Sequence, residues 1–113
     1  QRSARLNELL REIIAEELER IEDDRLGWLS VVSVEVDNEL TKASVYLSSL
    51  EGDDDEIVKV VSEYRSHFRG VIGRSARIRR VPDLLFRIDP SIRNGNRIDQ
   101  ILSELDMSEP EGE

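Results

Sequence analysis

With 113 residues, 38% of them hydrophobic and 36% charged, the chain has room for one core and reads as a soluble globular domain. No apolar run approaches the roughly 18 to 20 residues that span a bilayer and the N-terminus lacks the apolar stretch of a secretory signal. The lack of cysteine excludes disulfides and thiolate metal sites, so a cytoplasmic protein is expected.

Leu6, Leu9, Leu10, Ile13, Ile14, Leu18 and Ile21 recur at three- and four-residue intervals, the spacing of one helical face, and predict an amphipathic helix from residue 3 to about 22. Asp23, Asp24 and Gly27 break it. Trp28 opens a run rich in β-branched residues, 29–36, and Asp37, Asn38 and Glu39 supply turn chemistry before a second run, 42–50. In that run Ala43, Val45 and Leu47 alternate with Ser44, Tyr46 and Ser48, so the two runs should pair as an antiparallel hairpin with one face on helices.

The acidic loop 51–55 offers an N-cap for a helix beginning near Glu56, in which Ile57, Val60, Val61, Tyr64, Phe68, Val71 and Ile72 keep one phase. Extended on that wheel, Arg69, Arg77 and Arg80 point away from the apolar stripe, with Arg65 at its margin. Gly70 and Gly73 fall on the same outward side, where each costs roughly 1 kcal/mol relative to alanine in a continuous helix. They are expected to mark a local bend and a bare patch that a partner's backbone can approach. Pro82 closes the helical stretch. Leu84, Phe86 and Ile88 then alternate against Leu85 and Arg87 as a third strand. Pro90, Asn94 and Gly95 turn the chain into a short helix carrying Ile98, Ile101, Leu102 and Leu105. Residues 106–113 are acidic, aperiodic and expected to be a disordered tail.

Charge is sorted along this order. Residues 64–82 hold six arginines and His67 without one acid, a local +6 within a net charge of −9, so the remainder carries −15. Such a stripe can hold phosphate locally while the acidic remainder suppresses indiscriminate adhesion to nucleic acid. The competing reading is that these arginines neutralise acidic helices of their own domain.

The order helix, strand, strand, interrupted helix, strand, short helix is that of an α+β domain. Taken with Arg25-Leu26-Gly27, Val31 to Val36, Ala43-Ser44-Val45-Tyr46, Arg79-Arg80-Val81-Pro82-Asp83-Leu84-Leu85-Phe86 and Asn96-Arg97-Ile98-Asp99, it closely resembles the ribosome-binding factor A family. The resemblance implies a type II KH-like domain over residues 1–105, ahead of the 106–113 tail. It implies a factor that binds the immature small ribosomal subunit, contacts its rRNA and assists late maturation without being an enzyme. Family members usually carry Ala-x-Gly at the kink between the two central helices; here that position reads Tyr64-Arg65-Ser66. The Gly70-Val71-Ile72-Gly73 run suggests that any bend has moved downstream, which leaves the kink either at Tyr64–Ser66 or at Gly70–Gly73.

Catalytic readings find little support. His67, the sole histidine, has no cysteine partner and no second imidazole, and Asp53-Asp54-Asp55 lacks the ligand spacing of a calcium loop. Neither a cofactor, a metal nor a small-molecule substrate is expected, and the protein should act as a monomer away from membranes. Trp28 and Tyr46 are candidates for base stacking, with Trp28 more at home in the core or at its rim. The expected RNA contacts are Arg65, Arg69, Arg77 and Arg80, with Arg74 and Arg79 nearby and Gly73 at the point of closest approach. The alternative is a protein-interaction domain docking the same basic face on an acidic partner.

Overall fold

A computed structural model describes residues 2–50 and 53–89. Helix α1, Arg2–Arg20, buries Leu10, Ile14 and Leu18 and sets Leu6 and Ile13 at the edge of the core, joined by Ile21 just past its end. Leu9, expected on the same stripe, is 39% exposed, because one residue's rotation carries it about 100° from Leu10. After α1 the chain makes one 3₁₀ turn, Asp24–Leu26, which tucks Leu26 into the core. Asp23 caps that turn by accepting the Arg25 N–H at 3.1 Å. Gly27 ends it at φ +59°, a backbone that a β-carbon disfavours.

Strands β1, Leu29–Val36, and β2, Lys42–Ser49, form the expected antiparallel hairpin. Ala43, Val45 and Leu47 are fully buried on one face of β2. In β1 the buried residues are Val31 and Val34, three apart, which a regular strand would place on opposite faces. A bulge between Val31 and Ser33 resolves the conflict: Val31 lies opposite Leu47 and Val34 opposite Val45, so both reach the core. The turn between the strands hangs on Asp37. Its carboxylate accepts the Thr41 hydroxyl and N–H, each at 2.7 Å, and the Thr41 hydroxyl is the main reason that it stays below the usual carboxylate range. Leu40 takes the left-handed conformation there, at φ +60°.

Strand β3, Asp83–Ile88, pairs parallel to β2, with Leu84 opposite Ala43 and Phe86 opposite Val45, so the sheet order is β1-β2-β3. A parallel neighbour requires a crossover, and helices α2, Asp54–Ser62, and α3, Arg65–Ser75, provide it. Asp53 caps α2 through the Asp55 and Glu56 N–H groups, so the helix starts two residues before the expected Glu56. Helix α1 packs on β1, and α2 and α3 pack on β3. The core closes where Phe68 meets Phe86, ring centroids 5.7 Å apart.

Two expectations about this crossover are corrected. The break falls at Glu63 and Tyr64 and not at Gly70–Gly73, which lie inside α3 with no positive φ. Polar anchors hold it there: the Tyr64 hydroxyl donates to Asp23 at 2.5 Å, and Arg25 bridges Asp23 at 2.7 Å and Glu63 at 3.0 Å. Helix α3 also stops at Ser75 and does not run to Pro82. Ala76 turns extended and buried, and the chain needs the following residues to reach the start of β3. The expected C-terminal helix around Ile98 to Leu105 and the acidic tail at 106–113 lie outside the described residues.

The Arg25 and Tyr64 hydrogen bonds hold the Asp23 carboxyl well below the usual carboxylate range. A depressed folded-state value contributes stability that is present above the unfolded-state value, about 4, and is lost as pH falls toward the folded one. Asp23→Asn should therefore melt lower than the parent at neutral pH. It should also lose less of its melting temperature between about pH 5 and pH 3. Parallel acid limbs for the two proteins in thermal melts would remove Asp23 from this role.

Candidate nucleic-acid interface

The six arginines of the basic segment divide into two sets. Arg65 and Arg69, both on α3, lie over the start of β3. Arg65 Nε donates to the Leu84 carbonyl at 2.9 Å; Arg69 donates through Nε to Pro82 O at 3.3 Å and through Nη2 to Val81 O at 3.0 Å. Strand β3 is an edge strand, and its outer carbonyls need donors that no further strand supplies. Arg65 supplies one, to Leu84, and Arg69 supplies the carbonyls of Val81 and Pro82 just ahead of the strand, so the two side chains join α3 to the sheet. Arg69 is also 3.8 Å from the Asp83 carboxylate. The expected row of outward arginines along α3 is thus half structural.

Arg74, Arg77, Arg79 and Arg80 form the second set. Arg74 sits in the last turn of α3, where a cation complements the helix dipole. The other three do not continue the helical wheel; they lie on the non-helical segment 77–82, which bends at Arg79 and Arg80. All four are exposed, and among the described residues none makes a hydrogen bond or ion pair. Arg5 of α1 and Arg87 of β3 are likewise exposed and unpaired among the described residues, but Arg11, Arg20 and Arg25 behave differently: Arg11 pairs with Glu8, Arg20 with Glu17, and Arg25 with Asp23 and Glu63. Self-neutralisation therefore describes those arginines and not the second set.

Gly73 lies on the exposed side of α3 near that segment; a β-carbon there would meet Val81 Cγ2 at 3.6 Å, an ordinary contact. His67 faces α1, its Nε2 2.6 Å from Glu17 Oε2, while Arg20 reaches the other Glu17 oxygen at 3.1 Å. The His67 hydrogen bond, against the opposing effect of burial, holds Glu17 below its ordinary value and fastens α3 to α1. Trp28 is 52% exposed at the head of β1. Tyr46 lies on the sheet face away from the helices, beside Arg87 of β3.

One feature is not read from the sequence. Leu6 of α1, Leu40 of the hairpin turn, and Ile78 and Pro82 of the segment after α3 wall a cleft of about 250 Å³ that Arg79 and Arg80 also line. Its walls come from three distant stretches of chain, and the left-handed turn at Leu40 contributes one of them. Among the described residues no group of three His, Asp or Glu side chains converges to hold a metal ion, and no helix is long and apolar enough to cross a membrane.

The family model for ribosome-binding factor A matches residues 2–102. A relative of that name from Thermodesulfovibrio yellowstonii is 35% identical, with 98% of this chain and 96% of the relative covered. Another from Halothermothrix orenii is 34% identical over 96% of this chain and 92% of its own. The crystal structure of ribosome-binding factor A from Thermus thermophilus superimposes with a TM-score of 0.70 at 28% identity, covering 74% of this chain and 91% of that one. A homology model of the Thermus thermophilus factor, fitted into the cryo-EM map of a 30S complex with it, gives a TM-score of 0.64 at 26% identity over 74% and 90% of the two chains.

The division of the arginines has a direct consequence for stability. Arg69→Ala leaves the Val81 and Pro82 carbonyls without their donor and should destabilise the fold by roughly 1 to 2 kcal/mol. Arg77→Ala, with no partner to lose, should stay within about 0.5 kcal/mol of the parent. Chemical denaturation of both variants checks this, and equal losses would erase the distinction.

Proposed function

The chain belongs to the ribosome-binding factor A family, and from this premise we propose that it binds the immature small ribosomal subunit through its rRNA and assists late rRNA maturation. The observation that carries the reading is the set of four exposed arginines, Arg74, Arg77, Arg79 and Arg80, which have no partner among the described residues of a chain otherwise rich in acid. On this reading they neutralise phosphates, Gly73 lets the RNA backbone come close, and Arg65 and Arg69 act mainly by fixing the edge from which the segment projects. The −15 carried by the rest of the chain keeps the protein from adhering to RNA elsewhere. The order of elements supports classing the domain as type II KH-like. The function requires no covalent chemistry, cofactor or metal: a monomer in the cytoplasm occupies the maturing particle and leaves it.

Sedimentation with separated ribosomal subunits tests the partner, and its salt dependence tests the surface. Four phosphate contacts on irregular or single-stranded rRNA should give log K against log salt a slope of about −3, from roughly 0.7 per contact. Arg77→Ala with Arg80→Ala should flatten that slope by about 1.4 and leave the fold intact. An unchanged slope would move the RNA surface elsewhere. Association that survives complete rRNA digestion would favour docking on an acidic protein.

Gly73 gives an independent check. With ordinary contact distance at its β-carbon and a helical backbone, Gly73→Ala should keep or raise stability, by up to roughly 1 kcal/mol, while weakening subunit binding. A variant that is as stable as the parent and binds as tightly would show that no RNA backbone comes close to Gly73.

A further inference from the structure

We propose that the cleft between α1, the hairpin turn and the segment after α3 receives one unstacked nucleobase, whose neighbouring phosphates lie on Arg79 and Arg80. The proposal rests on the reading that these arginines meet RNA, and adds what they cannot supply. Arginines on phosphate bind any sequence and any secondary structure, whereas a pocket for a base admits only RNA whose base is out of its stack.

Three observations converge on the cleft. Its walls are aliphatic, from Leu6, Leu40, Ile78 and Pro82, and its volume is about 250 Å³. It is flanked by two exposed cations with no partner among the described residues. And Leu40 stands at φ +60°, where glycine or asparagine would sit more easily, yet the residue remains 45% exposed. Backbone preference does not account for a leucine at that position, whereas a wall for an apolar ligand does. No residue of α2 or of the break at Glu63 and Tyr64 takes part.

The charges around the cleft set how the occupant lies. Arg79 and Arg80 attract phosphate, and the Glu39 carboxylate on another wall repels it, so the sugar-phosphate chain must follow the arginine side. The flat faces of the base then meet the aliphatic walls. Glu39 is left as an acceptor for an exocyclic amine, which makes adenosine the suitable probe. A duplex cannot present a base in this way, so the cleft directs the basic segment to bulges, loops and unfinished helices.

The test uses two RNA hairpins that differ at one position, a bulged adenosine or an abasic residue, and three proteins: the parent, Leu40→Gly, and Arg79→Ala with Arg80→Ala. Glycine accepts φ +60°, so Leu40→Gly keeps the turn, which a thermal melt verifies, and removes one wall. The parent should prefer the adenosine hairpin by roughly tenfold. Leu40→Gly should lose most of that preference while binding the abasic hairpin as the parent does. Methyl resonances of Leu6 and Ile78 should shift with the adenosine hairpin and not with the abasic one. Equal affinity of the parent for both hairpins overturns the proposal. If the double arginine variant then still binds both more weakly, the arginine surface stands without the cleft; if it binds both as tightly as the parent, that reading falls as well. Methyl shifts caused by an acidic leucine-containing peptide, and not by either RNA, would assign the cleft to a protein and equally overturn it.

Discussion

Parallel pairing of β3 with β2 is the constraint from which the rest of the architecture follows. A parallel neighbour obliges the chain to leave β2 at Ser49, travel back along the sheet, and enter β3 beside Lys42. The distance to recover is the length of an eight-residue strand, about 26 Å at roughly 3.3 Å per residue. An unbroken helix over residues 54–75 would be about 33 Å long and would overshoot the sheet. Breaking it at Glu63 and Tyr64 lets two shorter helices cover the β3 side together. The break is held by polar groups that lie upstream of β1: Asp23 receives the Tyr64 hydroxyl, and Arg25 ties Asp23 to Glu63. The short 3₁₀ turn after α1 therefore acts on the crossover as a clamp.

The same topology separates structural arginines from exposed ones. Edge strands leave main-chain groups without partners, and at both edges of this sheet side chains from helices take up some of them. On one edge, Asn7 of α1 accepts the Val36 N–H at 3.0 Å; on the other, Arg65 and Arg69 of α3 donate to carbonyls at residues 81, 82 and 84. Arginine suits the second task because its fork can reach two carbonyls at once. From Arg74 onward the cations face solvent with their charge unneutralised by any described acid.

Sequence periodicity made the local elements legible and left their assembly obscure. The run at 29–36 stands out by its β-branched residues, those at 42–50 and 83–89 because inward and outward residues alternate, and α1 because its leucines and isoleucines repeat at helical spacing. The bulge in β1 is hidden in Val31, Val32, Ser33 and Val34, where three valines allow either register until β2 imposes one. The break at Tyr64 is hidden because its cause, Asp23, lies 41 residues away in sequence. Among the candidate contacts, the exposure of Arg74, Arg77, Arg79 and Arg80 was accessible from charge sorting. The carbonyl contacts of Arg65 and Arg69 were not, since a helical wheel shows direction from an axis and says nothing of a strand edge beside it. The wheel also misled beyond Ser75, where Ala76 and Ile78 imitate a continuing apolar stripe while the backbone has turned extended.

That imitation explains how a non-helical segment can present charges rigidly. Ala76 is buried, Ile78 and Val81 are partly buried against the core, and Pro82 is fully buried, whereas Arg77, Arg79 and Arg80 between them are exposed. Each arginine is thus within two residues of an apolar anchor, and the segment is fixed at both ends, by α3 and by β3. Ordering a long side chain on binding carries an entropic cost, and that cost grows when the backbone beneath it must also be ordered. Alternating anchors and cations removes the backbone share of it before any partner arrives. An exposed helix could display the same number of arginines, but its residues would follow one cylinder; the non-helical segment spreads them along the border between the sheet edge and the cleft.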